Sequence, residues 1–259
     1  MIALAHTDIA GAAVERSARE DLAAAFRWTA RLNLHEAVSN HFSVAVSPDG
    51  SSFLLNPRGR HFSQMRASEL LLLDASEDSA TASGLRATSP NADPTAWYLH
   101  AHLHRHVPHA RCVLHTHMPF TTTLACLANF EFMMLDQNAC RFHNRIAYDR
   151  TYSGMALDDT EGERVARLLG ENKSVLFLGN HGVLVVGQTV ADAFDEMYYL
   201  EKAAELQVLA LSTGRPLELI DESTAALACR QWLTYPEVAK LHFDELRRIL
   251  DLEEPSYRS

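Results

Sequence analysis

The order of apolar patterns along this chain predicts an α/β domain whose sheet is largely antiparallel and covered by helices on both faces. Three observations carry that prediction. An early hairpin pattern spans residues 42–55, helical periods then alternate with short apolar runs, and no strand runs into G-x-G-x-x-G. Gly84 and Gly154 stand alone, which excludes a Rossmann arrangement.

Apolar residues recur at helical spacing from Val14 to Leu32, and Asn33 suits the left-handed end of that helix. Phe42, Val44 and Val46 then alternate with polar neighbours. Pro48-Asp49-Gly50-Ser51 supplies a turn, and Phe53-Leu54-Leu55 completes a hairpin. Ser68 to Asp74 reads as a helical turn running into a short strand. Ala75 to Pro94 is rich in Ser, Ala, Thr, Asp and Gly and reads as a strand edge with a surface loop. A helix is expected from about Thr95 to His106, stopped by Pro108, followed by a buried strand ending in His115-Thr116-His117. Further on come a short helix from Pro119 to Leu127, a short strand from Phe132 to Leu135, and a helix from Asp159 to Leu169 stopped by Gly170. Val175–Leu178 and Val183–Val186 are strands flanking Asn180-His181-Gly182. Thr189 with Asp192 at the third helical position caps a long helix to about Leu211, and Thr224 to Leu250 is mostly helical. With no repeat, low-complexity segment or linker, residues 1–259 read as one domain, with 1–13 and 251–259 as peripheral tails.

Composition narrows the function. A net charge of -10 without a Lys/Arg run argues against nucleic acid or an anionic membrane as partner, leaving a small-molecule substrate. No stretch approaches the length of a membrane span, and no basic, then apolar, leader opens the sequence. Four cysteines (Cys112, Cys126, Cys140, Cys229) form no C-x-x-C and read as free thiols, so the reducing cytoplasm is the expected compartment.

His115-Thr116-His117 carries the most chemical information. On a strand the side chains alternate, so His115 and His117 share a face and can take adjacent positions on one metal ion. A chain with 14 histidines also produces H-x-H by chance. His181, in a break between two apolar runs, supplies a third imidazole, and three neutral imidazoles with an open position describe a catalytic metal site. The i, i+4 pairs His100/His104 and His102/His106 lie on one helix; a packed or solvated face accounts for such pairs as well as ligation does.

Asn40-His41-Phe42-Ser43-Val44, Leu55-Asn56-Pro57-Arg58-Gly59, His100 with His115-Thr116-His117 fifteen residues on, and Asn180-His181-Gly182-Val183-Leu184 resemble the class II aldolase/adducin family in order and spacing. The resemblance runs from about Ala18 to Thr213 and is nearer to the adducin-head-like bacterial branch than to the sugar-phosphate aldolases. It implies a three-layer α/β/α domain. It also implies one divalent ion per subunit, Zn2+ or Fe2+ with Mn2+ also open, held by His115, His117 and His181, at a subunit boundary in a homotetramer. The departures are as informative. The phosphosugar aldolases have Ser-Ser-Glu-Trp where this chain has Pro94-Thr95-Ala96-Trp97, so the glutamate base is replaced by Ala96. Their first phosphate loop has Gly-Asn where this chain has Asn40-His41, while Ser43 and Gly59 remain as substrate-contact positions.

The expected function is therefore a metal-dependent lyase that breaks a C–C bond of a non-phosphorylated carbonyl compound or 2-oxo or 2-hydroxy acid, by retro-aldol cleavage or decarboxylation. Alternatives are an Fe(II)-dependent oxygenase that decarboxylates such acids oxidatively, and a non-catalytic assembly module like the adducin head. His41 is the candidate acid-base group, Arg58 a candidate clamp for a substrate carboxylate, and Tyr257 a candidate contribution from a neighbouring chain. His100 and Gln137 are expected to orient the ligands from behind.

Overall fold

The structure is a computed structural model that describes residues 2–75, 91–235 and 237–259. Seven strands form one sheet: β1 (His41–Ala45), β2 (Ser52–Leu55), β3 (Leu71–Asp74), β4 (Cys112–Thr116), β5 (Ile146–Asp149), β6 (Val175–Leu178) and β7 (Gly182–Gly187). Their spatial order is β3-β2-β1-β4-β7-β6-β5. Every neighbouring pair is antiparallel except β5 with β6. The largely antiparallel sheet expected from the sequence is the sheet observed.

Side-chain alternation assigns each strand residue to a layer. Phe42, Val44, Cys112, Leu114, Val183 and Val185 pack with α1 (Ile2–Arg31) and α5 (Val190–Ser212). Phe26 stacks on Phe42 at 4.9 Å and meets Phe62 edge-on at 4.5 Å in that layer. Val113, Leu176, Leu184 and Val186 face the opposite way, against α2 (Pro94–His106) and α4 (Asp159–Leu169). Each fully buried Leu or Phe contributes about 1.5–3 kcal/mol from leaving water, so the two layers lock the strand register. His41, Ser43 and His115 share the parity that faces α2, and β1 pairs with β4 so that His41 lies directly opposite His115.

The helix ends follow local chemistry. Asp93 caps α2 by accepting from Thr95 N at 2.9 Å, with Pro94 at the first helical position. Asp158 caps α4, which stops at Gly170 with φ +62. Thr189 and Asp192 form the expected capping box on α5. Beyond α3 (Pro119–Ala125), the C-terminal third forms α6 (Glu222–Thr234) and α7 (Val238–Glu253).

Four expectations differ from the structure. Helix α1 begins at Ile2, taking in the segment expected as a tail. The strand expected over Phe132–Leu135 is irregular: Phe132 N donates to the Tyr148 hydroxyl at 2.8 Å, and Gln207 binds both the N–H and C=O of Met133. Side chains satisfy that backbone instead of a partner strand. The edge strand Ile146–Asp149, absent from the pattern reading, is only four residues long and half-buried at its centre. Residues 251–259 are no peripheral tail, since Tyr257 is fully buried and the Ser259 carbonyl accepts from Ser68 N at 3.0 Å. Most of the loop expected between Ala75 and Pro94 lies outside the described residues.

Candidate metal centre

Three histidines from two chain segments converge at the end of the β4–β7 pair. Their ligand nitrogens all lie within 4.8 Å of one another, and the ring centroids of His115, His117 and His181 are 4.8–5.0 Å apart. His115 is the last inward position of β4, and His117 continues its face just past the strand. His181 sits in the three-residue break between β6 and β7. Asn180 takes the left-handed conformation there (φ +56) and its N–H donates to the Ala125 carbonyl, while His181 N closes the turn on Leu178 O at 3.1 Å. Gly182 is needed at the end of that turn: a Cβ there would lie 2.7 Å from both His117 Cδ2 and the Thr116 carbonyl oxygen.

Hydrogen bonds fix how the rings present themselves. His115 Nδ1 donates to the Val183 carbonyl at 3.0 Å, and His117 Nδ1 donates to Glu36 Oε2 at 2.6 Å. In the neutral form that ligation requires, both rings carry the proton on Nδ1, each Nε2 is a bare lone pair, and the two Nε2 atoms lie 3.2 Å apart. Two facing lone pairs repel unless a cation lies between them, so the donor set fits a metal ion. Thr116, pointing to the other side of the sheet, donates to the Leu34 carbonyl, and Asn40 Oδ1 accepts from Glu36 N at 2.6 Å. These bonds hold the loop that carries Glu36 against His117.

Burial disfavours protonation of His115 and His181, as ligation requires. It lowers His115 well below the ordinary histidine range, with the neighbouring histidines adding to the effect. His181 is lowered to about 4 by burial and by His117, against opposing Glu161, Asp149 and Glu36. Outside the cluster lies a cleft of about 730 Å³ lined by His117, His181, Glu36, Tyr152, Asn180 and the Thr122, Thr123 and Cys126 edge of α3. No Lys or Arg lines it among the described residues.

A fourth histidine stands behind the cluster. The His41 ring is 4.7 Å from that of His115, and its Nδ1 is 2.7 Å from His100 Nε2. Burial lowers His41 to about 3, an effect that nearby Asp93 opposes. His100 is fully buried and contacts His41 and Ser43 rather than any of the three converging rings. Ser43, expected to touch substrate, is also fully buried, with its hydroxyl between His100 and His104, so no substrate reaches it. His102 instead pairs with Asp159 at 2.9 Å.

The remaining candidates lie apart from the cluster. Arg58 has a 68% exposed side chain 3.6 Å from Asp93, and Gly59 turns the adjacent loop at φ +76. Gln137 is exposed beside the turn capped by Asp136 and bonds to no histidine. Tyr257 is buried inside its own subunit with its hydroxyl on Asp251 at 2.8 Å, so it does not extend toward a neighbouring chain. Glu36 was not singled out by the sequence. Glu36 and His117 are 81 residues apart, and no local pattern pairs them.

The sequence model described as the class II aldolase and adducin N-terminal domain matches residues 20–208. A Pseudomonas aeruginosa protein that carries the provisional name aldolase class 2 protein is 32% identical over 252 residues, covering 95% of this chain and 93% of its own. The Streptomyces niveus decarboxylase NovR is 29% identical over 210 residues, covering 81% of this chain and 75% of its own. An aldolase II superfamily protein from Pseudomonas syringae superposes with a TM-score of 0.82 at 29% identity, over 95% of this chain and 96% of that one. The chain belongs to the class II aldolase and adducin N-terminal domain family.

Proposed function

We propose that this protein is a metal-dependent lyase that breaks a C–C bond of a non-phosphorylated 2-hydroxy or 2-oxo acid. The observation that carries the reading is the set of three imidazoles whose ligand nitrogens lie within 4.8 Å of one another, at the wall of a cleft that no Lys or Arg lines among the described residues. His115, His117 and His181 would hold the ion, as Zn2+, Fe2+ or Mn2+. The ion would supply Lewis-acid polarisation of a carbonyl and stabilise the charge left when the bond breaks. His41 Nε2, bare of a proton, is the acceptor for the substrate hydroxyl proton in retro-aldol cleavage. His117 and His181 line the cleft, while His115, 1% exposed, lies beside them inside the fold.

Likeness to a decarboxylase supports loss of CO2 over aldol cleavage. A second reading, oxidative decarboxylation with Fe(II), has the support of a facial set of three imidazoles that leaves positions for a chelating acid and O2. Phosphorylated ketoses are disfavoured because no Lys or Arg among the described residues lines the cleft to meet a phosphate. The working assembly is proposed to be a homotetramer with the cleft near a subunit boundary. In support, exposed apolar side chains, Tyr152 at 54% and Met155 at 68%, lie on the segment that lines the His181 side of the site.

The test is a panel of 2-hydroxy acids, 2-oxo acids and phosphoketoses offered to protein loaded separately with Zn2+, Fe2+ and Mn2+, with and without O2. Expected are CO2 or aldehyde release from an acid, loss of release in His181→Ala, and no phosphoketose cleavage. Turnover of a phosphoketose on the order of 1 per second would overturn the substrate class, and O2-dependent release would select the oxidative reading. Light scattering checks the tetramer.

A further inference from the structure

A chain of buried hydrogen bonds runs from the back of the metal centre to one backbone carbonyl, and its end fixes its direction. His104 Nδ1 lies 2.8 Å from the Ala110 carbonyl oxygen. A carbonyl only accepts, so the proton of neutral His104 is on Nδ1 and its Nε2 is bare. Ser43 Oγ lies 2.6 Å from that nitrogen and therefore donates its only proton to it. Having spent that proton, the hydroxyl accepts at its other side from His100 Nδ1. His100 Nε2 is then bare and accepts from His41 Nδ1 at 2.7 Å. The last member, His41 Nε2, is left without a proton. It has no hydrogen-bond partner among the described residues.

We propose that the Ala110 carbonyl, through His104, Ser43 and His100, locks His41 in its Nδ1–H form, so that His41 offers the metal centre a hydrogen-bond acceptor and never a donor. His100, Ser43 and His104 are thus positioning residues that act through His41. All four side chains are at most 5% exposed, so no water competes for the chain along its length. The polarity would reverse only if His104 carried a second proton, and no carboxylate is bonded to His104 to hold that charge. An acceptor at this place selects the substrate. It pairs with a hydroxyl proton, whereas a carbonyl oxygen or carboxylate in the same position meets it lone pair to lone pair. Resting on the lyase reading, the consequence is that the substrate carries its hydroxyl toward His41: a 2-hydroxy acid or β-hydroxy carbonyl compound rather than a plain 2-oxo acid.

Histidine tautomers are read directly from long-range proton–nitrogen NMR correlations on the metal-free, substrate-free protein labelled at histidine nitrogen. Expected is the Nδ1–H pattern at His41, His100 and His104 together, whereas free histidine favours Nε2–H. In Ser43→Ala the pattern should persist at His104, which the Ala110 carbonyl holds, and give way to a mixture at His100 and His41. Ser43→Thr, which keeps the hydroxyl, should restore it. A single Nε2–H form at His41 in the wild-type protein overturns the inference even if no variant folds. A His41 tautomer unmoved by Ser43→Ala overturns the coupling. In metal-loaded protein, the preference for a 2-hydroxy over the matching 2-oxo acid should fall about fivefold in Ser43→Ala, the range of one neutral hydrogen bond. If the tautomers are as stated and neither acid binds, the lyase reading fails and the hydrogen-bond chain stands.

Discussion

Glu36 offers a quantitative test of the metal centre, because it touches His117 and nothing else in the cluster. Its carboxylate accepts from His117 Nδ1 at 2.6 Å, and its side chain is 65% exposed. Removing a group that orients a ligating histidine lowers metal affinity by about 10–100-fold. Water and salt screen an exposed carboxylate, which places Glu36→Ala at the low end, about tenfold or 1.4 kcal/mol. Glu36→Gln keeps an acceptor for Nδ1–H without the charge. A neutral hydrogen bond is roughly half as strong as a charge-assisted one, so about threefold is expected. His117→Ala removes a ligand outright and should leave little metal bound.

The assay is competition with a chromophoric chelator at neutral pH, run at low and high salt. The order wild type, Glu36→Gln, Glu36→Ala, His117→Ala is expected, and the gap between wild type and Glu36→Gln should narrow in high salt, because only that gap is electrostatic. Full metal occupancy in His117→Ala would mean that the three histidines are not the site. If Glu36→Ala binds metal as tightly as wild type while His117→Ala does not, the cluster stands and Glu36 has no part in orienting it.

Gly182→Ala should distort the centre without deleting a ligand, since the new methyl would lie 2.7 Å from His117 Cδ2 and the rigid Thr116 carbonyl. Weakened metal binding with a stability loss of about 1–3 kcal/mol is expected, and an unchanged affinity would refute the close approach. Metal-free protein should lose stability as pH falls from 6.5 toward 4. His104 is lowered to about 4 by burial, so the unfolded chain takes up its proton first, and that residue alone is worth on the order of 3 kcal/mol above the window. Urea melts that do not shift across this range would contradict neutral burial. Tyr257→Ala should cost about 3 kcal/mol in urea unfolding and leave kcat of the folded fraction unchanged, because the side chain packs inside its own subunit; lost kcat at full stability would return it to the active site.

Most of the fold was legible because its signals are local. The capping pair Thr189/Asp192, the stop at Gly170 and the turn over residues 48–51 each act within a few residues, and each lies where the pattern placed it. The three metal candidates were legible for a related reason: strand periodicity alone puts His115 and His117 on one face. What the sequence concealed depends on contacts between distant segments. Ile146–Asp149 becomes a strand because β6 lies beside it, and Phe132–Leu135 fails to become one because Tyr148 and Gln207 take its backbone groups. Ser43 reads as an active-site serine until β1 and α2 are packed together, when His100 and His104 close over it. Residues 251–259 read as a peripheral tail, with Tyr257 free to serve a neighbouring chain, until α1 is seen to pack against the C-terminal turn, tied by Arg258 to Glu20 at 2.5 Å.

The balance of charge at the centre connects these residues to the chemistry. In the phosphosugar aldolases, by resemblance, a glutamate stands where this chain has Ala96, which is 1% exposed and offers only a methyl group. One turn further along α2, His100 reaches toward the sheet and meets His41. A carboxylate beside the ion would offset one of its charges; a neutral imidazole offsets none. If the three histidines hold a divalent ion, neutral His41 and His100 behind them would leave its charge facing the cleft, moderated by Glu36 through His117 and by Glu161 and Asp149 near His181. Such a centre would favour a substrate that brings its own negative charge, with no Lys or Arg among the described residues lining the cleft to compete for it. Replacing Ala96 by Glu should therefore weaken binding of a carboxylate substrate while strengthening that of the ion. Separate titrations of metal and of acid in that variant decide the matter: if both affinities rise together, uncompensated charge is not what recruits the acid.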